Sequence, residues 1–277
     1  MAAEPVRPGT YGVSVTNPEL ASPDAYRRDA ASPDAYRPDA TSPLPPTAPS
    51  PVADMLGRAM LTDEPGSGTL LLVRHAQQEP WHPRSGPDRR DPSLTEVGRR
   101  QAEATAAYLG SEPIAAVYSS SMRRAAQTAR PVAARHDLAV QVLTDLHEIE
   151  MRRGLPGDRM PHEVFEHDLL VEAVERFCDT RRWEELPFGE DGDELRRRVS
   201  DRIEAVLAGH PAETVVVVCH GGVINAYLAQ LLGIDADMWF RPAHGSVNRL
   251  RFNGARRVLH RINEIDHLAA VDGLLTT

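Results

Sequence analysis

The chain has 277 residues, 41% of them apolar and 26% charged, which is enough for one large or two small domains around a sizeable core. Acidic residues outnumber basic ones by 40 to 31, and the resulting net charge of −9 argues against a nucleic-acid partner. No window reaches the ~18 consecutive apolar residues that a membrane span requires.

All 31 basic residues are Arg, and codon bias is the simplest account of that. The consequence is chemical all the same. With no Lys there is no Schiff base and no P-loop Lys, so a bound phosphate must be held by Arg, His or backbone amides. Two Cys, Cys178 and Cys219, stand far apart and make no disulfide framework, so a reducing cytoplasm is expected. Met1-Ala2-Ala3-Glu4-Pro5 lacks the charged-then-apolar pattern of a secretion signal.

Residues 1–66 hold 12 of the 23 Pro and a decapeptide repeat, Ala21 to Ala30 and Ala31 to Ala40, differing only at Arg28 and Pro38. Frequent Pro blocks helices, and the apolar area is too small to offset chain entropy, so a disordered tail is expected. Within it, Val52 to Leu61 admits a short helix. The folded domain is expected over 67–265, with a C-terminal tail over 266–277.

From Thr69 onward strands alternate with helices. Thr69-Leu70-Leu71-Leu72-Val73 reads as a buried strand ending in Arg74-His75-Ala76. A polar, Pro-rich loop follows over 77–92. Thr95 then caps a helix to about Leu109, with Leu94 as its hydrophobic staple. Ile114 to Tyr118 is a second strand, and Ser119-Ser120-Ser121 reads as an N-cap cluster for a helix to about Arg135. Val140 to Leu143 is a third strand, leading to Leu146-His147-Glu148-Ile149-Glu150. Residues 161–180 are mostly helical, and a long helix runs from about Asp193 to Ala208. Val215 to Cys219 is the strongest strand; it runs into His220-Gly221-Gly222 and an apolar helix, Val223 to Leu232. Val247 to Phe252 and Arg256 to Ile262 flank Asn253-Gly254, a hairpin signal. This order predicts a mainly parallel sheet covered on both faces, with antiparallel strands at the end.

In open α/β sheets ligands bind beyond the carboxyl ends of the strands. Three such ends carry related chemistry here: Arg74 and His75; Arg123 or Arg124 in the first turn of the next helix; and His220, whose glycines open another helix. Arg offers a planar fork of donors, and helix starts offer amides and partial positive charge. Together they describe a pocket for a dianion such as a phosphoryl group. An acid, Glu148 or Glu150, lies on the loop between them.

These motifs resemble the histidine phosphatase superfamily, also called the phosphoglycerate mutase-like family. Its opening Arg-His-Gly/Ala matches Arg74-His75-Ala76, and its Leu-Thr-x-x-Gly-x-x-Gln-Ala helix matches Leu94 to Ala102. Its Ser-Ser-x-x-x-Arg-Ala-x-Gln-Thr-Ala matches Ser119 to Ala129, which selects Arg124. Its Leu-x-Glu matches Leu146 to Glu148, which selects Glu148. Its Gly-Glu resembles Gly189-Glu190, and its Ser-His-Gly-Gly matches Cys219 to Gly222. The resemblance covers about 69–263. It implies a three-layer α/β/α sandwich and phosphoryl transfer from a small phosphate monoester to His75 and then to water. Glu148 would be the proton donor. Arg74, Arg124, Gly221 and a protonated His220 would hold the phosphate, with no cofactor.

The chain departs from the family in its loops. Gln77-Gln78-Glu79-Pro80-Trp81-His82 lacks the usual Asn, and Met151 to Gly157 replaces a Gly- and Trp-rich stretch. Gln77 and Trp81 are therefore rim candidates whose substrate is open. A mutase, or a non-catalytic phospho-ligand binder, stands as the alternative. A cysteine phosphatase needs Arg six residues after its Cys, where Cys219 has Asn225. A zinc helix is disfavoured because His162 and His167 lie five apart, off one helix face.

Overall fold

Leu70, Leu71, Leu72 and Val73 are fully buried in β1 (Gly68–Arg74) because both faces of this strand are covered. The computed structural model describes residues 51–62, 64–80, 91–156, 159–270 and 273–276. Strand β1 lies inside a six-stranded sheet with β2 (Ile114–Ser120), β3 (Val140–Leu143), β4 (Thr214–Cys219), β5 (Val247–Asn253) and β6 (Arg256–Glu264). The order is β3-β2-β4-β1-β5-β6. The first four in that order run parallel and the last two antiparallel, as the sequence predicts.

Side chains alternate across a strand, so one apolar run serves two cores. Leu70 and Leu72 join Val215 and Val217 beneath α5 (Gly192–Gly209) and α6 (Gly221–Leu232). Leu71 and Val73 join Val216 and Val218 beneath α2 (Glu96–Tyr108) and α3 (Arg123–Arg135). Helix α4 (His167–Thr180) lies in the predicted helical stretch. This is the three-layer α/β/α sandwich.

Four local expectations change. Ser119 and Ser120 belong to β2, and the N-cap of α3 is Met122 with no side-chain cap; Asp91 instead accepts from Arg123 N–H at 2.8 and 2.9 Å. Thr95 does cap α2, accepting from Gly98 N–H at 2.9 Å, but the staple position is Arg99, and Leu94 packs on Ala76 and Ala102.

The boundary expected at 66 falls inside a docked segment. Helix α1 (Pro51–Ala59) leads to Leu61, which is fully buried. Arg256 donates to the Arg58 and Ala59 carbonyls and pairs with Glu64, and Arg251 donates to the Leu61 carbonyl. The repeat at 21–40 lies outside the described residues. The tail expected over 266–277 is likewise packed where it is described: α7 (Asp266–Ala269) buries Leu268, and Leu274 is buried beside Gln101.

Candidate active site

The register of β1 on β4 sets Arg74 opposite Cys219, and His75 N–H donates to the Cys219 carbonyl at 2.9 Å. His75 and His220 therefore leave adjacent strands side by side, with ring centroids 5.1 Å apart. On the other side, Arg74 N–H donates to Ser246 O and Gly245 N–H to Arg74 O, both at 3.1 Å. That clamp brings in a third imidazole, His244, whose centroid is 5.7 Å from His75. All three rings are buried.

His75 Nδ1–H donates to the Ala76 carbonyl at 2.8 Å, which assigns the lone pair to Nε2. Arg124 Nε–H is turned onto that lone pair at 3.2 Å. Burial, then the Arg124 and Arg74 charges, push the His75 pKa well below the usual histidine range. Its imidazole is a neutral base whose electron pair faces Arg124, with the Arg74 charge close by.

Burial lowers the Arg74 pKa to about 10; Glu148 opposes the shift, and Arg241 and Arg124 add to it. Both guanidinium groups stay charged near neutrality. Arg74 Nη1 donates to the Pro242 carbonyl, while its buried Nε has no partner among the described residues. Asp91 stands 3.7 Å from Arg124 on the far side. His220 Nε2 meets Ser120 Oγ at 2.7 Å, and its buried Nδ1 has no partner among the described residues. Burial, then Arg124, His75 and Arg74, push the His220 pKa well below the usual histidine range.

Glu148 reaches the site from the loop after β3. Its Oε1 accepts from Ile149 N–H at 3.0 Å and Gly222 N–H at 3.1 Å. A Cβ on Gly222 would stand 2.6 Å from that oxygen, so the second glycine of the motif is needed for the approach. Burial raises the Glu148 pKa against the opposing pull of Ile149 N–H, Arg124, Arg74 and Gly222 N–H. The loop is fixed from behind. Arg198 donates to the Asp145 and His147 carbonyls at 2.7 and 3.0 Å and forks onto Glu190, which also accepts from Glu150 N–H. The Gly189-Glu190 motif thus positions the acid loop.

Two cavities open at Glu148. One, of about 790 Å³, includes Arg124, Met122, Met151 and Met160. The other, of about 510 Å³, includes Arg74, Gly221, Trp183, Trp239 and Phe240. Arg74, Arg124, Glu148, His75, His220 and Gly221 thus converge as expected. Gln77 does not line either cavity: its Oε1 accepts from the Thr95 hydroxyl at 2.7 Å, tying the loop to the start of α2. Trp81 lies outside the described residues. Asp91, Ser120, Arg198 and His244 are the residues around the site to which the sequence reading gives no role there. Among the described residues no group of three or more His, Cys, Asp or Glu is placed to hold a metal.

The sequence profile of the histidine phosphatase superfamily, branch 1, matches residues 70–265. Phosphoserine phosphatase 1 of Hydrogenobacter thermophilus is 32% identical over 209 residues, covering 72% of this chain and 93% of that protein. The solved mycobacterial glucosyl-3-phosphoglycerate phosphatase superposes with a TM-score of 0.58 at 25% identity, covering 71% of this chain and 99% of that one. A phosphoglycerate mutase from Bacillus anthracis shares the fold, with a TM-score of 0.60 at 18% identity and coverage of 74% and 96%. The match spans more than two thirds of the chain and includes every strand end described above, and so the protein belongs to the histidine phosphatase superfamily.

Proposed function

We propose that the chain is a phosphatase that hydrolyses small phosphate monoesters, without a metal, through a phosphohistidine on His75. The observation that carries this reading is the neutral His75 Nε2 lone pair against Arg124, with the Arg74 charge near it and Glu148 lining both cavities. Nε2 attacks phosphorus and the P–O bond to the leaving alcohol breaks. Glu148 gives its proton to the departing oxygen, which is what a raised carboxyl pKa permits. Water then attacks the phosphohistidine, Glu148 takes its proton, and the P–N bond breaks. Arg74 and Arg124 hold the equatorial oxygens as charge spreads over them. A dianion between these groups favours the charged form of His220, so the ring takes up its proton on substrate binding.

The relatives' names point to phosphoserine and to glucosyl-3-phosphoglycerate. Cavities of about 790 and 510 Å³, faced by methionines and aromatic rings, suit a leaving group larger and less polar than serine. The two free cysteines suit a reducing compartment, and we place the protein in the cytoplasm on that ground. No described helix is long and apolar enough to cross a membrane.

Phosphate release from a panel of monoesters by the purified chain tests the reading. The expected result is release from several alkyl and aryl esters, no release by His75→Ala, and a base-stable phosphoenzyme in the parent only. Interconversion of 2- and 3-phosphoglycerate that outruns phosphate release would make the protein a mutase instead.

A further inference from the structure

Three buried polar nitrogens around His75 have no partner among the described residues: Arg74 Nε, His220 Nδ1 and His244 Nε2. Leaving a buried polar group without a partner is costly, so three at one spot call for a common partner. Arg74 and His220 belong to the motifs that mark the site. His244 belongs to none of them.

The proton inventory of His244 follows from its neighbours. Gln101 Nε2–H donates to Thr276 Oγ1 at 2.8 Å, and Gln101 Oε1 accepts from Gln77 N–H at 2.8 Å. Thr276 Oγ1 lies 3.0 Å from His244 Nδ1. With its oxygen already accepting from Gln101, the hydroxyl gives its hydrogen to Nδ1, and the imidazole hydrogen sits on Nε2. Thr276 O also accepts from His244 N–H at 3.0 Å, so both ends of the residue are held. Burial, then Arg74, Arg241 and Arg124, lower the His244 pKa to about 3, which keeps the ring a neutral N–H donor.

We propose that His244 Nε2–H is a further hydrogen-bond donor to the transferred phosphoryl group, oriented by Thr276. This rests on the phosphatase reading above. A neutral donor at this place adds stabilisation to the phosphoryl oxygens without a fourth full charge beside His75, whose basicity a further cation would lower. The segment 273–276 then does more than cover Gln101: it fixes the tautomer that points a hydrogen inward.

The test compares His244→Leu, His244→Asn and Thr276→Val with the parent. The readouts are kcat and KM on p-nitrophenyl phosphate and the melting-temperature upshift produced by orthovanadate, a mimic of the transferring group whose binding needs no turnover. Removing one such donor elsewhere costs about 10²- to 10³-fold in kcat. His244→Leu is expected to lose about 100-fold in kcat with KM within about threefold, and to lose most of the vanadate upshift. His244→Asn, which keeps an N–H donor, is expected to recover about tenfold of that loss. Thr276→Val is expected to lose about 5- to 10-fold in kcat, because Nδ1 is freed to take the hydrogen.

A folded His244→Leu protein with parental kcat and parental vanadate upshift overturns the proposal. If His244→Leu does not fold, parental values for both readouts in His244→Asn and Thr276→Val overturn it. A parent protein that releases no phosphate from any ester but shows the vanadate upshift, lost in His244→Leu, would sink the phosphatase reading and leave the donor standing.

Discussion

Phosphoryl transfer to His75 needs two protonation states at once: a neutral imidazole, which exists above its pKa, and a protonated Glu148, which exists below its own. With ordinary values of about 6.5 and 4.5, that pairing is roughly one part in a hundred of the singly protonated pair. Burial moves both in the useful direction, His75 down and Glu148 up, so the productive form is enriched. Activity on alkyl phosphates is therefore expected to fall on the alkaline side as Glu148 loses its proton. Glu148→Gln should remove that limb and cost about 10²- to 10⁴-fold on an alkyl phosphate. On p-nitrophenyl phosphate, whose leaving group hardly needs protonation, the loss should be much smaller. Steady-state rates across pH on both esters check this, and equal losses would remove Glu148 from its role. Arg74, His75, Glu148 and His220 were legible because each closes a strand or the loop after one. Ser120 and His244 were not, since their partners lie about 100 and 30 residues away and no local spacing reports that.

The elements were readable where burial imposes a pattern. β1 and β4 are covered on both faces, so their apolar runs are continuous, and the hairpin turn shows itself in Asn253-Gly254. α1 was undervalued because its Pro-rich surroundings imply no anchor, yet β5 and β6 supply hydrogen bonds to the segment it opens. Arg256 holds the Arg58 and Ala59 carbonyls, Arg251 holds that of Leu61, and the Leu61 side chain is fully buried. A chain shortened to begin at Ser50 is expected to match the full chain in melting temperature and activity. One shortened to begin at Gly68 loses Leu61, whose burial contributes about 1.5–3 kcal/mol, and the Arg256–Glu64 pair. Its melting temperature should fall by about 4–10 °C. Equal melting temperatures for the two truncations would show that α1 adds nothing to the sheet.

Taken as one molecule, the fold stores neutral imidazoles that the unfolded chain would protonate. His75, His220 and His244, with His267 outside the site, all have lowered pKa values in the folded state, with burial the main cause. The stability they confer is complete above about pH 6.5 and is lost as pH falls towards the folded values. Glu148, whose pKa is raised, works in the opposite direction. With more groups lowered than raised, stability should fall as pH drops below about 6.5. Urea midpoints at pH 7 and pH 5 measure it, and a flat profile would mean that the rings are hydrated. The same density of packing governs sulfur chemistry. Cys219 ends β4 fully buried, with burial raising its thiol well above the usual range, whereas Cys178 is exposed on α4. Iodoacetamide should therefore cap one thiol per native molecule quickly and leave activity intact. The second should react only as fast as the central strand opens. Counting adducts by mass over time would turn Cys219 into a clock for opening of the sheet, read at a side chain the native strand already carries.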